Sequence, residues 1–411
     1  MARKQIVAGI DVGNLFVKAA IAELDQETGR PKIIGVGVAE SHGLRRGVVH
    51  NLDETIRDIG QAIHQAQTMA GTRVGRAYVA VNGPHLRSQI SRGVIAVSRA
   101  DNEIDQSDVE RVVEAASIVN LPANREIIHV MPRNFTIDNQ EVVKNPLGMK
   151  GYRLEAEVLL IDGLSPYIKN LAKCVNANDI EVAGFVYSPL AASYAVLDKK
   201  QKEHGVLKVD LGGGLSTLSF FNEGDLVYAA TLPIGAQHIT HDLAVALRTT
   251  VEQAEAVKLQ YGFTGSHSAG KKENIDLSTL LEDENMIIPR KSLGRIIDDR
   301  VDEVFGLLQN ELKRIPNLGI VPSGVVIIGG GARLAGLAGF AKERLKLPVR
   351  IGGHPELAGL ADTVNDPALA VATGLVLYGL EKDYSGKNTG GSGQLSGSLR
   401  KLKGWLKNFL P

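Results

Sequence analysis

Apolar positions along the chain follow two rhythms. Short apolar runs at Val7–Ile10 and Val17–Leu24, separated by a tight turn, predict two strands. Residues Leu52–Thr68 carry Ile56, Ile59 and Ile63 at three- and four-residue spacing and predict a helix. A short apolar strand is expected at Ala77–Val81. The texture then changes. Residues Asn82–Gly163 hold a strand-like stretch (Gly93–Ser98), a helix over Asp108–Val119 with Ser107 as its N-cap, and strands around Glu126–Phe135 and Arg153–Ile161. This reads as a small α+β module of its own. Residues Pro166–Asn176 return to a helical pattern.

At Val206–Asp210 the opening pattern starts again. Residues Val7–Gly13 and Leu207–Gly212 are both apolar strands ending in Asp-x-Gly, and each is followed by another apolar strand, Val17–Leu24 in one case and Leu218–Phe221 in the other. Asp11 and Asp210 lie 199 positions apart, about one domain length. A third strand, Val325–Ile328, ends in Gly329, Gly330 and Gly331. The repeated order of strand pair and helix predicts two α/β halves facing each other.

Composition limits what such a chain can do. Its 411 residues suffice for several cores, and a hydrophobic fraction of 44% with 22% charged residues is that of a globular protein. Lysine plus arginine and aspartate plus glutamate both number 46, which argues against a nucleic-acid coat. The single cysteine, Cys174, excludes an internal disulfide and suits a reducing compartment. No apolar segment precedes Asp11 as a signal peptide would require, and the best apolar stretch, Val325–Ala341, is interrupted by Arg333, so a membrane span is not expected.

The glycine turns carry the candidate chemistry. A polyphosphate needs backbone N–H donors at close range, which glycine permits, and a metal ion held by carboxylates. Asp11 and Asp210 can supply those carboxylates from opposed halves, and Gly212–Gly214 and Gly329–Gly331 the open backbone. There is no GxxxxGK[ST] and no well-placed GxGxxG, so neither a P-loop nor a dinucleotide fold is indicated.

The last residues have a different character. Tyr384–Ser398 is rich in glycine and serine and reads as a flexible linker. It leads to a thirteen-residue segment, Leu399–Pro411, which contains the only tryptophan. On a helix Leu399, Leu402, Trp405, Leu406, Phe409 and Leu410 fall within an arc of roughly 140°. Arg400, Lys401, Lys403 and Lys407 lie on the other side. The segment would be about 20 Å long, too short to span a bilayer. This is the pattern of an interfacial helix on anionic lipid, to which four cations contribute on the order of 4 kcal/mol; a helix docked on the protein's own body or in a partner groove is the other reading, against which the Gly/Ser linker and the basic face count. Modest affinity per copy would make attachment sensitive to self-assembly.

These motifs together resemble the actin/Hsp70/sugar-kinase superfamily and, within it, the bacterial cell-division family FtsA. Gly9–Gly13 is similar to the first phosphate motif, Ser188–Ala195 to the first connecting helix, Asp210–Gly214 to the second phosphate motif, Gly329–Leu334 to the adenosine motif and Ala368–Gly374 to the second connecting helix. The segments Ala123–His129 and Pro146–Ala156, with Pro132, Phe135, Asp138 and Gln140, resemble the FtsA-specific inserted domain. The resemblance implies an α/β, actin-like two-lobed fold with duplicated α/β domains, an inserted small α+β domain of the SHS2 type and a C-terminal amphipathic helix. The implied division is a first core domain (1–82, 164–202 and 358–383), the inserted domain (83–163), a second core domain (203–239 and 313–357), a small partner-binding lobe (240–312), the linker (384–398) and the membrane helix (399–411). It places ATP and Mg²⁺ at Asp11, Gly13, Asn14, Lys18, Asp210, Gly212, Gly213 and Gly214, with the metal held through water by Asp11 and Asp210. The nucleoside would lie by Gly329, Gly330, Gly331 and Ala332, flanked by Glu255 and Lys258, which are three apart and share a helix face; without the resemblance they read as a surface ion pair. Arg290 and Arg300, near Arg295, would receive the apolar and acidic C-terminal peptide of the tubulin-like protein FtsZ, since arginine forks suit carboxylates; a solvated helix face is the other reading. Self-assembly into a protofilament, downstream division proteins on the inserted domain, anionic lipid and no nucleic acid complete the implied partners. The location would be the cytoplasmic face of the cell membrane at the division site.

The chain departs from the family pattern at several places. Asn14 replaces a usual Ser or Thr, Phe16 a frequent Lys, and Leu215-Ser216-Thr217 the usual Thr-Thr-Asp after the second glycine turn. Ser188 stands where actin-like relatives often carry a water-orienting Glu. With fewer groups to position and stabilise phosphoryl transfer, nucleotide binding with slow or negligible hydrolysis is expected. A pilus assembly ATPase resembling PilM and a small-molecule kinase of the same superfamily are the alternatives. The amphipathic tail and the lobe after Thr240 count against the first, and the lack of an obvious catalytic carboxylate against the second.

Overall fold

A computed structural model describes residues 5–25, 30–268, 273–281, 286–315, 321–353, 358–359 and 365–387. The tail residues Leu399, Arg400, Lys401, Leu402, Lys403, Trp405, Leu406, Lys407, Phe409 and Leu410 lie outside this set. So does the expected linker beyond Lys387; its first four positions continue the helix Ala370–Lys387.

Two sheets repeat one topology. In the first, Ile6–Val12 pairs antiparallel with Phe16–Leu24, which pairs antiparallel with Pro31–Glu40; on its other side Ile6–Val12 runs parallel to Arg76–Val81, followed by Glu181–Tyr187. In the second, Val206–Leu211 pairs with Ser216–Asn222 and then Asp225–Leu232, and on its other side runs parallel to Val325–Ile328 and Val349–Ile351. Numbered within each half, both sheets read 3-2-1-4-5, so the repeat of Asp-x-Gly strands marks a duplicated fold. Ala358–Gly359 adds a parallel pairing to the outer edge of the first sheet.

Helices fill the space between and behind the sheets. Leu52–Ala70 begins where the Asn51 side chain accepts from the Glu54 amide and ends at Gly71 in the left-handed region (φ 62°). It buries Ile59, Ala62, Ile63 and Ala66 against Pro31–Glu40. The two connecting helices, Ser188–Val196 and Ala370–Lys387, cross so closely that a methyl group on Gly374 would come within 2.0 Å of the Ala191 carbonyl oxygen.

The inserted module is a four-stranded antiparallel sheet, Arg87–Ala96, Arg153–Leu164, Arg125–Ile137 and Glu141–Val143, backed by the helix Gln106–Ser117 around its own core of Val109, Val112, Phe135, Leu154 and Leu160. The N-cap of that helix is Asp105 and not Ser107. The Asp105 carboxylate accepts from the Asp108 amide (3.0 Å) and the Asp108 carboxylate from the Asp105 amide (3.2 Å), a reciprocal box that starts the helix two residues earlier than its apolar rhythm suggests.

Candidate nucleotide cleft

Both Asp-x-Gly strands deliver their aspartate to one cleft of about 500 Å³ between the halves. Asp11 stands opposite Lys18 in the first hairpin, and its Oδ2 lies 3.2 Å from the lysine Nζ. Asp210 occupies the same place in the second hairpin, but its cross-strand neighbour is Thr217. Burial pushes the Asp210 carboxyl above the ordinary carboxylate range; Lys208 pulls it down and the like charge of Asp11 pushes it up. Asp210 forms no ion pair within 4.0 Å among the described residues, so of the two cleft aspartates only Asp11 has a lysine in contact. That arrangement fits a magnesium ion, which is commonly held by one or two carboxylates together with phosphate and water. No cluster of three or more His, Cys, Asp or Glu side chains suited to a metal occurs among the described residues.

The turns after these aspartates meet. A methyl group on Gly213 would strike Leu15 at 2.4 Å, and one on Gly214 the Asn14 amide at 2.3 Å. Asn14 Oδ1 in turn accepts from the Gly47 amide (2.9 Å). The helix Ala236–Leu247 has its first donors occupied, Ala236 N on Gly212 O and Gln237 N on Gly213 O, each at 2.8 Å. By contrast the amides of Asn14, Leu15, Gly213 and Gly214 donate to no acceptor among the described residues. Free N–H groups from two opposed turns, next to two carboxylates, form a cradle for an anion that brings a metal with it.

The other end of the cleft is built differently. Gly329 adopts φ 86°, and a methyl group there would lie 2.4 Å from Asp210 Oδ1, so only glycine fits. A methyl group on Gly330 would meet nothing within 4 Å, because this residue faces open space. Arg333 forks onto Asp366, with its Nε 3.0 Å from Oδ1. Glu255 and Lys258 form a 2.6 Å pair, and the lysine Nζ also donates to Thr240 Oγ1 (2.7 Å). Both line the cleft, with the Lys258 side chain only 9% exposed, so they are not an open-surface pair.

Of the residues expected here, Asp11, Gly13, Asn14, Lys18, Asp210, Gly212, Gly213, Gly214, Glu255, Lys258, Gly329, Gly330 and Gly331 all line the cleft. Ala332 does not; it is 4% exposed and packs into the core of the second half. Ser188 lines the cleft but donates its hydroxyl to the Val81 carbonyl (3.1 Å). Asn82 and Gly47 are cleft residues outside the motifs, and Arg333 is a cleft residue within the Gly329–Leu334 motif to which the sequence assigns no role.

The two arginines of the partner lobe are both engaged. Arg290 lies 3.0 Å from Glu273 and over the Phe263 ring, 4.9 Å from its centroid. Arg300 grips Asp242 with both arms of its fork, at 2.6 and 2.8 Å, and also meets Glu303. On the same helix, Arg290–Leu312, Lys291 and Arg295 are exposed and have no carboxylate partner among the described residues.

Comparison with known proteins agrees with this architecture. A family model described as the SHS2 domain inserted in FTSA matches residues 83–162, and one described as cell division protein FtsA matches residues 207–374. The chain is 36% identical to the cell division protein FtsA of Pseudomonas aeruginosa, over 98% of each chain. It is 34% identical to that of Bacillus subtilis, over 92% of this chain and 84% of the relative. Among solved structures, a PilM–PilN type IV pilus biogenesis complex aligns with a TM-score of 0.65 at 15% identity, covering 91% of this chain and 98% of the other. MreB5 of Spiroplasma citri bound to ADP aligns with a TM-score of 0.53 at 14% identity, over 93% and 98%. These likenesses establish the actin-like fold.

Proposed function

Because the chain belongs to the FtsA family of cell division proteins, we propose that it binds ATP with Mg²⁺, polymerises, tethers FtsZ filaments to the cytoplasmic membrane and recruits later division proteins through its inserted domain. The observation that carries the nucleotide reading is the convergence of the free amides of Asn14, Leu15, Gly213 and Gly214 on the space beside Asp11 and Asp210. A bound metal ion would offset the charge of both carboxylates and of the phosphates. Gly330 leaves room for the base end, between the Arg333–Asp366 and Glu255–Lys258 pairs.

Slow hydrolysis is part of the proposal. The Ser188 hydroxyl is tied to the Val81 carbonyl and Thr217 is tied across the cleft, so neither is placed to orient an attacking water as a carboxylate would. The same scarcity speaks against a kinase: among the described residues the lining carboxylates are Asp11, Asp210 and Glu255, and the last is held by Lys258 and Thr240. On the helix Arg290–Leu312, Lys291 and Arg295 are the cations available to the acidic FtsZ peptide, whereas Arg300 would have to exchange Asp242 for it.

Co-sedimentation with anionic liposomes tests the tether. With ATP and Mg²⁺ the full chain should carry FtsZ into the liposome pellet, and a variant lacking residues 399–411 should leave it in the supernatant. Equal pelleting of FtsZ with and without those residues would refute the tether.

A further inference from the structure

The two halves are joined at the cleft by a bridge of hydrogen bonds. Asn82 stands just beyond the strand Arg76–Val81, beside the first Asp-x-Gly turn. Its Nδ2 donates across the cleft to Thr217 Oγ1 (3.1 Å), and its Oδ1 accepts from Thr231 Oγ1 (3.0 Å) and from the Gly83 amide (2.9 Å). Thr217 and Thr231 are cross-strand neighbours in the second sheet, and Thr217 is the residue opposite Asp210. Thr217 therefore occupies the position that Lys18 holds against Asp11 in the first half. One half gives this position to a counter-ion, the other to a hydrogen bond with the opposite lobe.

A second grip holds the far end of the same hairpin. Lys144 of the inserted module lies 2.7 Å from Asp225 and 3.2 Å from Glu223, at the turn between Ser216–Asn222 and Asp225–Leu232. The grips are connected on the side of the first half. Gly83 follows Asn82 at the root of the inserted module, and the His85 carbonyl accepts from Arg125 (2.9 Å), which is paired with Asp162 in the interior.

We propose that Asn82 is a positioning residue for the nucleotide. Its amide holds the lobes at the spacing in which Asp11 and Asp210 face each other, and release of a bound nucleotide requires that amide to leave Thr217 and Thr231. Because the next residue roots the inserted module and Lys144 fastens that module to the same hairpin, nucleotide exchange and the stance of the module are one equilibrium. The proposal rests on the nucleotide reading above and adds to it a residue and a direction of coupling.

Stopped-flow release of a fluorescent ATP analogue from the full chain, with Mg²⁺, tests it. A net hydrogen bond is worth about a fivefold change in an equilibrium or rate. Asn82→Ala and Thr217→Val should each speed release about five- to tenfold, and the double variant should release no faster than the faster single one, as expected for a shared contact. Lys144→Gln, at a half-buried site, should speed release about two- to threefold. Release within twofold of wild type for both Asn82→Ala and Thr217→Val, or multiplying effects in the double variant, would overturn the proposal. If the wild type takes up no nucleotide, the nucleotide reading falls, and the bridge is judged by amide hydrogen exchange of residues 216–232 in the nucleotide-free protein. Faster exchange in Asn82→Ala then upholds the bridge, and equal exchange overturns it.

Discussion

Lys208 is 1% exposed, yet it lies two positions before the cleft residue Asp210 on the same strand face. Burial pushes its ammonium down to about 8, against an upward pull from Asp210. The folded state therefore binds the proton less tightly than the unfolded chain. Its cost to stability is complete below pH 8 and fades as pH rises towards the ordinary lysine value. Lys208→Met should stabilise the protein by about 2 kcal/mol at pH 7, less than the full shift implies because Asp210 loses a counter-charge, and the advantage should vanish near pH 10. Urea unfolding at the two pH values checks this. Asp11 and Asp210 are legible in the sequence because a carboxylate at a strand end beside glycine is itself a chemical pattern, whereas Lys18 is reached only through the family resemblance. The sequence could not mark Asn82 or Thr217, whose roles appear only when residues 135 positions apart meet. Ala332 shows the opposite case: it shares a motif with Gly330 and Gly331 but packs into the core of the second half.

Among the elements, the hairpins were readable and the crossings were not. Val7–Ile10 and Val17–Leu24 are apolar runs broken by glycine, and the strands fall there. The strand Pro31–Glu40 is not legible in the sequence because Gly35 and Gly37 interrupt its alternation; they are glycine because methyl groups there would sit 2.2 Å from the Ala66 and 1.9 Å from the Ala62 carbonyl oxygen of the neighbouring helix. The crossing of the connecting helices at Gly374 and Ala191 has the same origin. Gly374→Val should destabilise the protein by about 3 kcal/mol, since the clash is with backbone and cannot be relieved by a rotamer. Gly330→Ala, facing open space, should leave unfolding unchanged within about 0.5 kcal/mol while weakening nucleotide binding. Chemical denaturation and nucleotide titration of both variants separate packing from ligand contact.

For the whole molecule, balanced charge conceals a division. Residues 399–411 carry four cations, which leaves 42 basic against 46 acidic side chains elsewhere. No helix among the described residues is long and apolar enough to cross a membrane. If the tail attaches the protein through anionic lipid, raising the salt from about 0.05 to about 0.5 M should release most of the chain from anionic liposomes, and neutral liposomes should bind it weakly at either concentration. Binding that ignores both salt and lipid charge would mean that apolar burial alone holds it.

The duplicated 3-2-1-4-5 sheets have one more consequence. A cleft between two like halves has no inherent direction, and a ligand lying across it could enter in either of two opposed poses. Direction comes from a few side chains at matched positions. Lys18 faces Asp11 where Thr217 faces Asp210. After the fourth strand of each half, one chain continues into Asn82 and the other into the open turn at Gly329–Gly331. A ligand that is itself asymmetric would therefore fit the cleft in one sense only.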